Sequence, residues 1–289
     1  MSLVIFGYGY SAQHFVQKFG ESYRPILATV RVRQRARSLS SPDCSTVAFG
    51  DDVDEQIFPA LQKATHLLIS TPPHSSGDPV LEKIAEQIAA APALEAIVYL
   101  STVGVYGDHH GDWIDEGTLC KPSNDRSRWR LAAEQEWLAL GRDMNVPVHV
   151  LRLAGIYGPG QNALANLKAG TARRIIKPGQ VFNRIHVEDI AATIDACFQS
   201  KTRGGIWNVS DDEPAPPQDV IAFAADLMGI APPPELDFNT ADLSPMARSF
   251  YAECKRVSNR AIKERLGVRL AYPTYREALR ALYSAGEGR

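Results

Sequence analysis

Six short apolar runs, separated by stretches with helical periodicity, occupy the first half of the chain and constrain its fold more than any other feature. The apolar runs lie at residues 3–6, 26–30, 46–49, 66–70, 96–100 and 148–152. The helical patterns between them cover residues 11–19, 55–63, 80–91 and 130–141. Nearly continuous apolar strands that alternate with helices are typical of a parallel sheet covered on both faces. Because crossovers between parallel strands are right-handed, the sequence predicts an α/β fold with a doubly wound sheet.

The composition excludes several classes of protein. Lys and Arg together number 31 and Asp and Glu 33, a formal net charge of −2 in 289 residues, so no global charge attracts nucleic acid or an anionic membrane. No apolar run approaches the roughly 18 residues of a membrane-spanning helix, and the first residues lack a signal-peptide pattern. The four cysteines are far apart and form no CxxC pair: Cys44, Cys120, Cys197 and Cys254. We therefore expect a cytoplasmic protein with reduced thiols and neither a nucleic-acid partner nor a membrane partner.

The first apolar run leads directly into a glycine-rich turn. Its residues form a GxGxxA pattern that opens the first helical stretch: Gly7, Tyr8, Gly9, Tyr10, Ser11 and Ala12. The first glycine allows a tight turn, the second lets the backbone approach a pyrophosphate, and the alanine lets the helix pack closely on the strand. The helix N-terminus attracts the anion. The turn predicts a dinucleotide site in a Rossmann sheet, with a plain strand–helix turn as the alternative.

The end of the second apolar run bears on the choice of cofactor. A carboxylate at this point would bind the ribose 2′-hydroxyl of NAD. The chain instead has Arg31, 24 residues after Gly7, and further arginines at positions 33, 35 and 37. A guanidinium pairs well with a 2′-phosphate. We expect NADP(H) as the cofactor, with NAD(H) and a solvated basic loop as the alternatives.

The regular alternation loosens after residue 158, where stretches rich in Pro and Gly recur. We predict a Rossmann dinucleotide-binding domain at residues 1–158, with late returns to the sheet between residues 184 and 210, near 184–187 and 206–209. A small C-terminal α/β substrate-binding subdomain is expected at residues 159–183 and 211–289. Asp189 is expected to cap a helix over residues 190–199.

Four ordered motifs carry a family resemblance. They are YLSTVGVYGD at residues 99–108, RLAGIYGPG at 152–160, RIHVED at 184–189 and IWNV at 206–209. The chain resembles the extended short-chain dehydrogenases/reductases of the NAD-dependent epimerase/dehydratase group. The resemblance implies that Thr102 hydrogen-bonds the reacting oxygen and that Asp51 touches the adenine, with an exposed capping pair of Asp51 and Asp52 as the alternative. It also implies that three residues line the cofactor: Ser70, Thr71 and Pro72.

The same resemblance locates a departure in the family's YxxxK motif, which is usually followed by a glutamate four residues after the lysine. Counting back from Glu134 puts Arg130 at the lysine position and Arg126 at the tyrosine position. The family's tyrosine is the general acid/base, and an arginine cannot exchange that proton at neutral pH. Arg130 can still hold the nicotinamide ribose. The pattern is similar to that of the atypical short-chain dehydrogenases, which keep the cofactor fold and lose the usual tetrad.

Several side chains remain as substitutes for the missing tyrosine. Tyr106 follows Thr102 by four residues, although the VYG turn that contains it also occurs in enzymes with the usual tyrosine, where it packs the loop. Two histidines and three carboxylates near the same strand end are the other options: His109, His110, Asp112, Asp115 and Glu116. Their spacing fits no standard zinc motif, so we expect a substrate-side loop and no metal.

On the substrate side, Arg184 is a candidate for an anionic group, with a structural salt bridge as the alternative. Arg173, Arg174 and Lys177 lie where related enzymes hold a nucleotide-sugar diphosphate, or else form a solvated face. The tail at residues 255–259 is expected to close the substrate cleft. The resulting hypothesis is an NADP(H)-dependent oxidoreductase or epimerase/dehydratase-like enzyme for a small polar substrate such as a nucleotide sugar. The alternative is a non-catalytic NADP(H)-binding redox sensor or regulator. Relatives often form homodimers through two helices per subunit.

Overall fold

A seven-stranded parallel sheet forms the centre of the protein. The computed structural model describes the backbone of residues 1–289 and every side chain except that of Met246. The strands are β1 (Leu3–Phe6), β2 (Ile26–Val30), β3 (Ser45–Ala48), β4 (His66–Ile69), β5 (Ala96–Thr102), β6 (Trp113–Ile114), β7 (Val148–Leu153), β8 (Gly155–Tyr157), β9 (Arg174–Ile176), β10 (Arg184–His186), β11 (Gly204–Val209), β12 (Glu235–Asp237) and β13 (Arg256–Val257). The main sheet has the order β3-β2-β1-β4-β5-β7-β11 with every neighbour parallel. The prediction of a doubly wound α/β fold is therefore confirmed.

Helices cover the sheet and fill the C-terminal part. They are α1 (Tyr10–Phe19), α2 (Arg33–Leu39), α3 (Ile57–Leu61), α4 (Pro79–Ala89), α5 (Asp125–Met144), α6 (Ala163–Lys168), α7 (Val187–Gln199), α8 (Pro217–Met228), α9 (Pro245–Phe250), α10 (Arg260–Arg265) and α11 (Tyr275–Ser284). Sequence patterns missed α2, because Ala36 is its one buried residue and it therefore shows no apolar period. Among the described residues, none of these helices has both the length and the apolar character needed to cross a bilayer.

The core lies in two layers, one on each face of the sheet. On one face α1 and α7 pack their aromatic residues Phe15 and Phe198 against the strands. On the other face Ile57, Ile84 and Trp137 of α3, α4 and α5 do the same. This double cover explains why the strand runs are almost continuously apolar, since both faces of each central strand are buried.

The later strands depart in part from the sequence prediction. Residues 204–209 do return to the main sheet, as β11 beside β7. The expected return at residues 184–187 is wrong, because β10 pairs with β8 in a separate two-stranded sheet. β8 begins two residues after β7 ends, and its first N–H, at Gly155, bonds to the carbonyl of Asn183. The chain thus leaves the main sheet after β7, and β10 pairs with β8 outside that sheet.

The helix after β10 also begins differently from the prediction. The N-cap of α7 is His186, whose Nδ1 accepts a hydrogen bond from the Glu188 N–H at 3.3 Å. Asp189 is therefore not the cap. Its carboxylate instead accepts hydrogen bonds from the backbone N–H groups of Ala271 (2.6 Å) and Tyr272 (3.1 Å). Asp189 thus ties the C-terminal segment to the sheet's helical layer.

Two buried histidines predict a pH dependence of stability. His149 and His186 each accept a hydrogen bond at Nδ1, from Trp207 Nε1 and the Glu188 N–H, and burial lowers the pKa of both to about 4. Each histidine therefore takes up a proton more readily in the unfolded chain, where its pKa is near 6.5, than in the folded protein. The free energy of unfolding should fall as the pH decreases from about 6.5 to about 4, by up to roughly 3 kcal/mol for each histidine.

The measurement that checks this is urea unfolding of the wild type and of His149→Asn at pH 6.5 and pH 4. The introduced asparagine would keep an acceptor for Trp207 and cannot take up a proton, so the variant should gain stability relative to the wild type as the pH falls. His110→Asn is the control, because the His110 side chain is 90% exposed. An equal pH response of all three proteins would contradict the assignment.

Candidate functional site

The glycine-rich turn lies at the carboxyl end of β1, where only glycine fits its first position. Gly7 has φ +94°, and a Cβ there would stand 2.9 Å from the carbonyl carbon of Ser70 and from the amide nitrogen of Thr71. Its N–H donates to Thr29 Oγ1 at 3.2 Å, and the next N–H, at Tyr8, donates to the Thr29 carbonyl at 2.7 Å. The turn is thereby fixed against both neighbouring strands, β2 and β4.

The second glycine faces open space. Gly9 is the N-cap of α1, no side chain caps this helix, and no atom lies within 4 Å of the position of a Cβ on Gly9. Ser11 and Ala12 of the first helical turn are buried against the sheet. An uncapped helix N-terminus with nothing above it suits a phosphate group, because the N–H groups and the helix dipole both favour an anion.

The two tyrosine side chains of the turn, Tyr8 and Tyr10, lie in different environments. The Tyr8 ring is buried and its hydroxyl lies against the Cys44 thiol, so burial raises the pKa of Tyr8. Only the backbone of Tyr8 contributes to the turn. The Tyr10 hydroxyl donates to the Pro159 carbonyl at 3.0 Å, which links the turn to the loop after β8.

The groups expected to meet the adenosine half lie at one edge of the sheet. Arg31 follows β2, Asp51 comes three residues after β3, and both side chains are exposed. Because β2 and β3 are parallel neighbours, these two residues stand at the same end of the sheet. The basic stretch that begins at Arg31 continues into α2, so residues 33–39 form a helix and not the solvated loop that was considered as an alternative.

Arg130 on α5 joins the ends of two central strands. Its Nη1 donates to the carbonyls of Thr71 (3.2 Å) and Leu100 (3.0 Å) and to the Tyr99 hydroxyl (3.0 Å). Ser70 and Thr71 are half-buried beside Gly7, while Pro72 is exposed. The Thr71 hydroxyl oxygen is buried without a hydrogen-bond partner. An unsatisfied polar group therefore lies at the carboxyl end of β4, beside the glycine-rich turn.

Thr102, at the end of β5, and Ser127, which the sequence patterns had not singled out, both lie close to Gly104. The Thr102 Oγ1 accepts a hydrogen bond from the Gly104 N–H at 3.1 Å, which leaves its own O–H free to donate. Ser127 Oγ and Thr102 Oγ1 lie 3.1 and 3.4 Å from the point where a Cβ on Gly104 would stand. Two hydroxyl groups therefore converge at the carboxyl end of β5.

Tyr106 is placed where it cannot take over the proton transfer. Its side chain is 0% exposed, its hydroxyl donates to Asn208 Oδ1 at 2.8 Å, and the Arg152 guanidinium stacks 4.7 Å from its ring centre. Burial raises the pKa of Tyr106 to about 12. This geometry corresponds to the packing role of the VYG turn, and the hypothesis of Tyr106 as acid/base is corrected accordingly.

The other substitutes do not converge on Thr102. His110 is paired with Asp108 in solvent, and His109 Nε2 lies 3.1 Å from the Tyr106 carbonyl oxygen. The Glu116 carboxylate accepts the Asn208 N–H at 2.8 Å. In the part of the chain that the structure describes, no three His, Cys, Asp or Glu side chains are grouped as metal ligands would be.

A cleft of about 490 Å³ opens beside Thr102 between the ends of β5 and β7 and the C-terminal part. Its walls are mostly apolar, and Lys255 of the C-terminal tail lies on its edge. A second cleft of about 560 Å³ adjoins it, and Tyr157 and Arg184 line both. Clefts of this size at the strand ends of a doubly wound sheet are where small molecules bind.

Residues 80–210 of this chain match the NAD dependent epimerase/dehydratase family. Protein YeeZ of Escherichia coli strain K12 is 31% identical over 197 residues, which are 65% of this chain and 66% of YeeZ, so the match spans just under two thirds of that relative. The 3-diazoavenalumate denitrifying reductase of a Streptomyces species is 28% identical over 52% of this chain and 51% of its own length.

The chain belongs to the NAD-dependent epimerase/dehydratase family. A functionally unknown conserved protein from Silicibacter pomeroyi has the same structure with a TM-score of 0.91, 49% identity and 99% of each chain covered. The dTDP-glucose 4,6-dehydratase of Bacillus anthracis, in complex with NAD, has a TM-score of 0.77 with 18% identity over 99% of this chain and 97% of its own. The UDP-glucuronic acid 4-epimerase of Bacillus cereus has a TM-score of 0.77 with 16% identity and 98% of each chain covered. These last two similarities concern the fold alone.

As the sequence resemblance aligns this chain, it departs from the family's YxxxK motif at two positions. Arg126, at the place of the family's tyrosine, is exposed on the first turn of α5, whereas Arg130 points inward at the place of the lysine. The side chain close to Gly104 and to the end of β5 is that of Ser127, one residue further on. The sequence signals Ser127 only as part of a helix start, since its N–H donates to the N-cap Asn124 at 3.0 Å. Nothing local indicates that it lies near Gly104.

Arg184 lines the cleft and is half-buried. Its Nη1 donates to the carbonyls of Phe182 (3.0 Å) and Ala215 (3.2 Å), and burial lowers the pKa of its guanidinium. Asp211 lies near it, and burial raises the pKa of Asp211 to about 8 against the opposing effect of Arg184. Sequence reasoning found Arg184 but missed Asp211 and Tyr157, although Tyr157 stands inside the family motif at residues 152–160.

Proposed function

We propose that this protein is an NADP(H)-dependent oxidoreductase that acts on a small molecule bound beside Thr102. The observation that carries the proposal is the open, uncapped N-terminus of α1 at Gly9, two residues after Gly7, where a Cβ would collide with the backbone. The unpartnered hydroxyl of Thr71 and the half-buried Ser70 lie next to Gly7. These residues fit a dinucleotide, which when bound supplies or accepts a hydride.

The chain's own residues then have separable tasks. The turn at residues 7–12 binds the pyrophosphate through backbone N–H groups. Arg130 holds the ends of β4 and β5 in register and places a positive charge where the family has a lysine. Thr102 donates a hydrogen bond to the reacting oxygen of the substrate, because it lines the cleft and its O–H is free, while Ser127 is buried beside Gly104. A nucleotide sugar is one candidate substrate, since relatives of this fold bind UDP-glucuronic acid and NAD.

A second candidate function is a non-catalytic NADP(H)-binding sensor, which the exposed Arg126 in place of the tyrosine favours. The two functions differ in what Thr102 does. For an enzyme, Thr102→Ala should lower kcat by about 10–100-fold, the loss of one donor to a developing oxyanion, with NADPH affinity unchanged. For a sensor, it should change neither NADPH binding nor the biological output.

The experiment measures NADPH oxidation by the purified protein with a panel of aldehydes, ketones and nucleotide sugars, and NADPH binding by calorimetry. Thr118→Ala is the matched control, since Thr118 bonds only within the exposed loop at Asp115. Turnover that Thr102→Ala lowers and Thr118→Ala preserves supports the enzyme. Normal NADPH binding without turnover of any substrate would favour the sensor.

Arg31 is proposed to select NADP(H) over NAD(H). Replacing it by Asp should weaken NADP⁺ binding by about 10–100-fold and leave or improve NAD⁺ binding, because the carboxylate repels the 2′-phosphate and accepts the 2′-hydroxyl. The measurement is the Kd of both cofactors by calorimetry. Arg142→Asp, at the exposed end of α5, is the control for a change of net charge. An unchanged ratio of the two affinities in Arg31→Asp would refute this role.

A further inference from the structure

The cations around the two clefts are already engaged with oxygen atoms of the protein. Lys255 Nζ donates to Glu253 Oε2 and to the Gly107 carbonyl, both at 2.6 Å. Arg173 Nη1 donates to the Asp242 carbonyl at 2.6 Å, and Lys177 donates to the Tyr251 carbonyl. Arg174 is paired with Glu235 at 2.8 Å. A nucleotide diphosphate needs several charge-assisted donors at once, and these side chains have other acceptors.

Arg184 differs in its electrostatic environment from Lys255, the other cation that lines the cleft containing Thr102, because Lys255 is paired with Glu253. In the described part of the chain Arg184 has no carboxylate within ion-pair distance, and its partners are the neutral carbonyls of Phe182 and Ala215. Asp211 lies near this guanidinium, but its Oδ2 has no hydrogen-bond partner, and burial raises the pKa of Asp211 to about 8. The half-buried guanidinium is therefore hydrogen-bonded to neutral carbonyls, and a bound carboxylate would supply the missing negative partner.

A second donor without an acceptor lies next to this charge. The Tyr157 side chain is 8% exposed, and its hydroxyl has no hydrogen-bond partner. Tyr157 and Arg184 both line the cleft that contains Thr102. A buried hydroxyl without a partner is uncommon in a folded protein, and a bound acceptor group would satisfy it. Arg184 and Tyr157 together offer donors that suit one carboxylate.

Most of the remaining cleft wall is apolar, although Asn183, Glu253 and Lys255 also line it. Its walls between Thr102 and Arg184 include five hydrophobic side chains: Val103, Leu153, Ile156, Val181 and Phe250. Such walls favour an aliphatic or aromatic group over a sugar, whose hydroxyls would lose their hydrogen bonds to water without replacement.

We propose that the substrate is a small monocarboxylate with an apolar body, with its carboxylate on Arg184 and Tyr157 and its reacting group at Thr102. The proposal rests on the proposed function, because it names the substrate class of the same site. It differs from a nucleotide sugar in carrying a single anionic group and no diphosphate. The apolar walls bind the body, and Arg184, the one guanidinium that lines the cleft containing Thr102, binds the carboxylate.

The test compares three probes on the full chain saturated with NADP⁺: phenylpyruvate, the uncharged ketone phenylacetone, and UDP-glucose. Calorimetry should show phenylpyruvate binding at least about 10-fold more tightly than phenylacetone, and UDP-glucose most weakly. Tyr157→Phe should weaken phenylpyruvate by about 5–20-fold and leave phenylacetone unchanged, since only the carboxylate loses a hydrogen bond. Arg184→Gln should remove the preference for the carboxylate, and Arg173→Gln, the matched control, should not.

The outcomes separate the two levels of the proposal. If NADP⁺ itself does not bind to folded protein, the proposed function fails. If NADP⁺ binds but phenylpyruvate binds no better than phenylacetone, or UDP-glucose binds most tightly and Arg173→Gln weakens it, the cofactor assignment stands and the substrate class is overturned. The Tyr157→Phe result holds without Arg184→Gln, in case that variant does not fold.

Discussion

Replacing Gly9 by valine is expected to abolish dinucleotide binding while the protein stays folded. Apart from its chain neighbours, no protein atom lies within 4 Å of the position of a Cβ on Gly9, and its backbone is extended with φ −92°, so a side chain fits without strain. The loss of a good N-cap costs about 1 kcal/mol. The same side chain occupies the place of the pyrophosphate, so the Kd for NADPH should rise by at least about 100-fold. Calorimetry with NADPH and thermal unfolding check both parts.

Gly7→Val is the matched comparison, because the neighbouring glycine is constrained by the protein itself. A side chain at Gly7 would collide with the backbone at Ser70 and Thr71, and φ +94° disfavours any residue with a Cβ. We expect this variant to lose stability and cofactor binding together. Tight NADPH binding by Gly9→Val would remove the main support for the cofactor site.

The second large effect concerns the ion pair of Glu134 and Arg152, for which we expect Glu134→Ala to cost about 3–5 kcal/mol of stability. The two side chains are 1% and 4% exposed, and two hydrogen bonds from Arg152 Nε and Nη2 reach the carboxylate at 3.2 and 2.7 Å. Ser101 donates to the same carboxylate, and Arg152 stacks on Tyr106. Without Glu134, a buried guanidinium would have no carboxylate partner.

Urea unfolding of four proteins tests this expectation. The double variant Glu134→Leu with Arg152→Met should be more stable than Glu134→Ala, because it leaves no unpaired buried charge. The exposed pair of Arg128 and Asp125 provides the control, since Asp125→Ala should cost no more than about 1 kcal/mol. If Glu134→Ala were as mild as Asp125→Ala, the ion pair would not be a main support of the fold.

The central sheet could be predicted from local patterns because each of its strands contains a short, nearly continuous apolar run. The run at residues 26–30 coincides with β2, and the run at 148–152 is one residue shorter than β7. The helix α2 was not predicted, because residues 33–39 are largely polar and bury only Ala36, so they show no apolar periodicity. β10 was assigned to the wrong sheet, since its three residues are compatible with either partner and the pairing with β8 depends on where the chain bends after β7.

The residues of the candidate site also fall into those that local sequence predicts and those that depend on long-range contacts. The turn from Gly7 to Ala12 is a local motif, so its position at the end of β1 followed from spacing alone. By contrast, the Tyr106 hydroxyl bonds to Asn208, 102 residues further along the chain. No periodicity encodes such a contact, and sequence spacing left Tyr106 open as a catalytic group. Only its burial removes it.

Linear order thus suffices for the parts of this protein whose chemistry lies within one turn, strand or helix: the layered sheet, the glycine-rich turn and the basic residues after β2. The closeness of Thr102 and Ser127 to Gly104, the burial of Tyr106 and the position of Arg184 in one cleft with Tyr157 depend on elements brought together from distant parts of the chain. Burial and hydrogen-bond partners decide what a side chain can do, and both are set by packing between elements, which short-range patterns do not record.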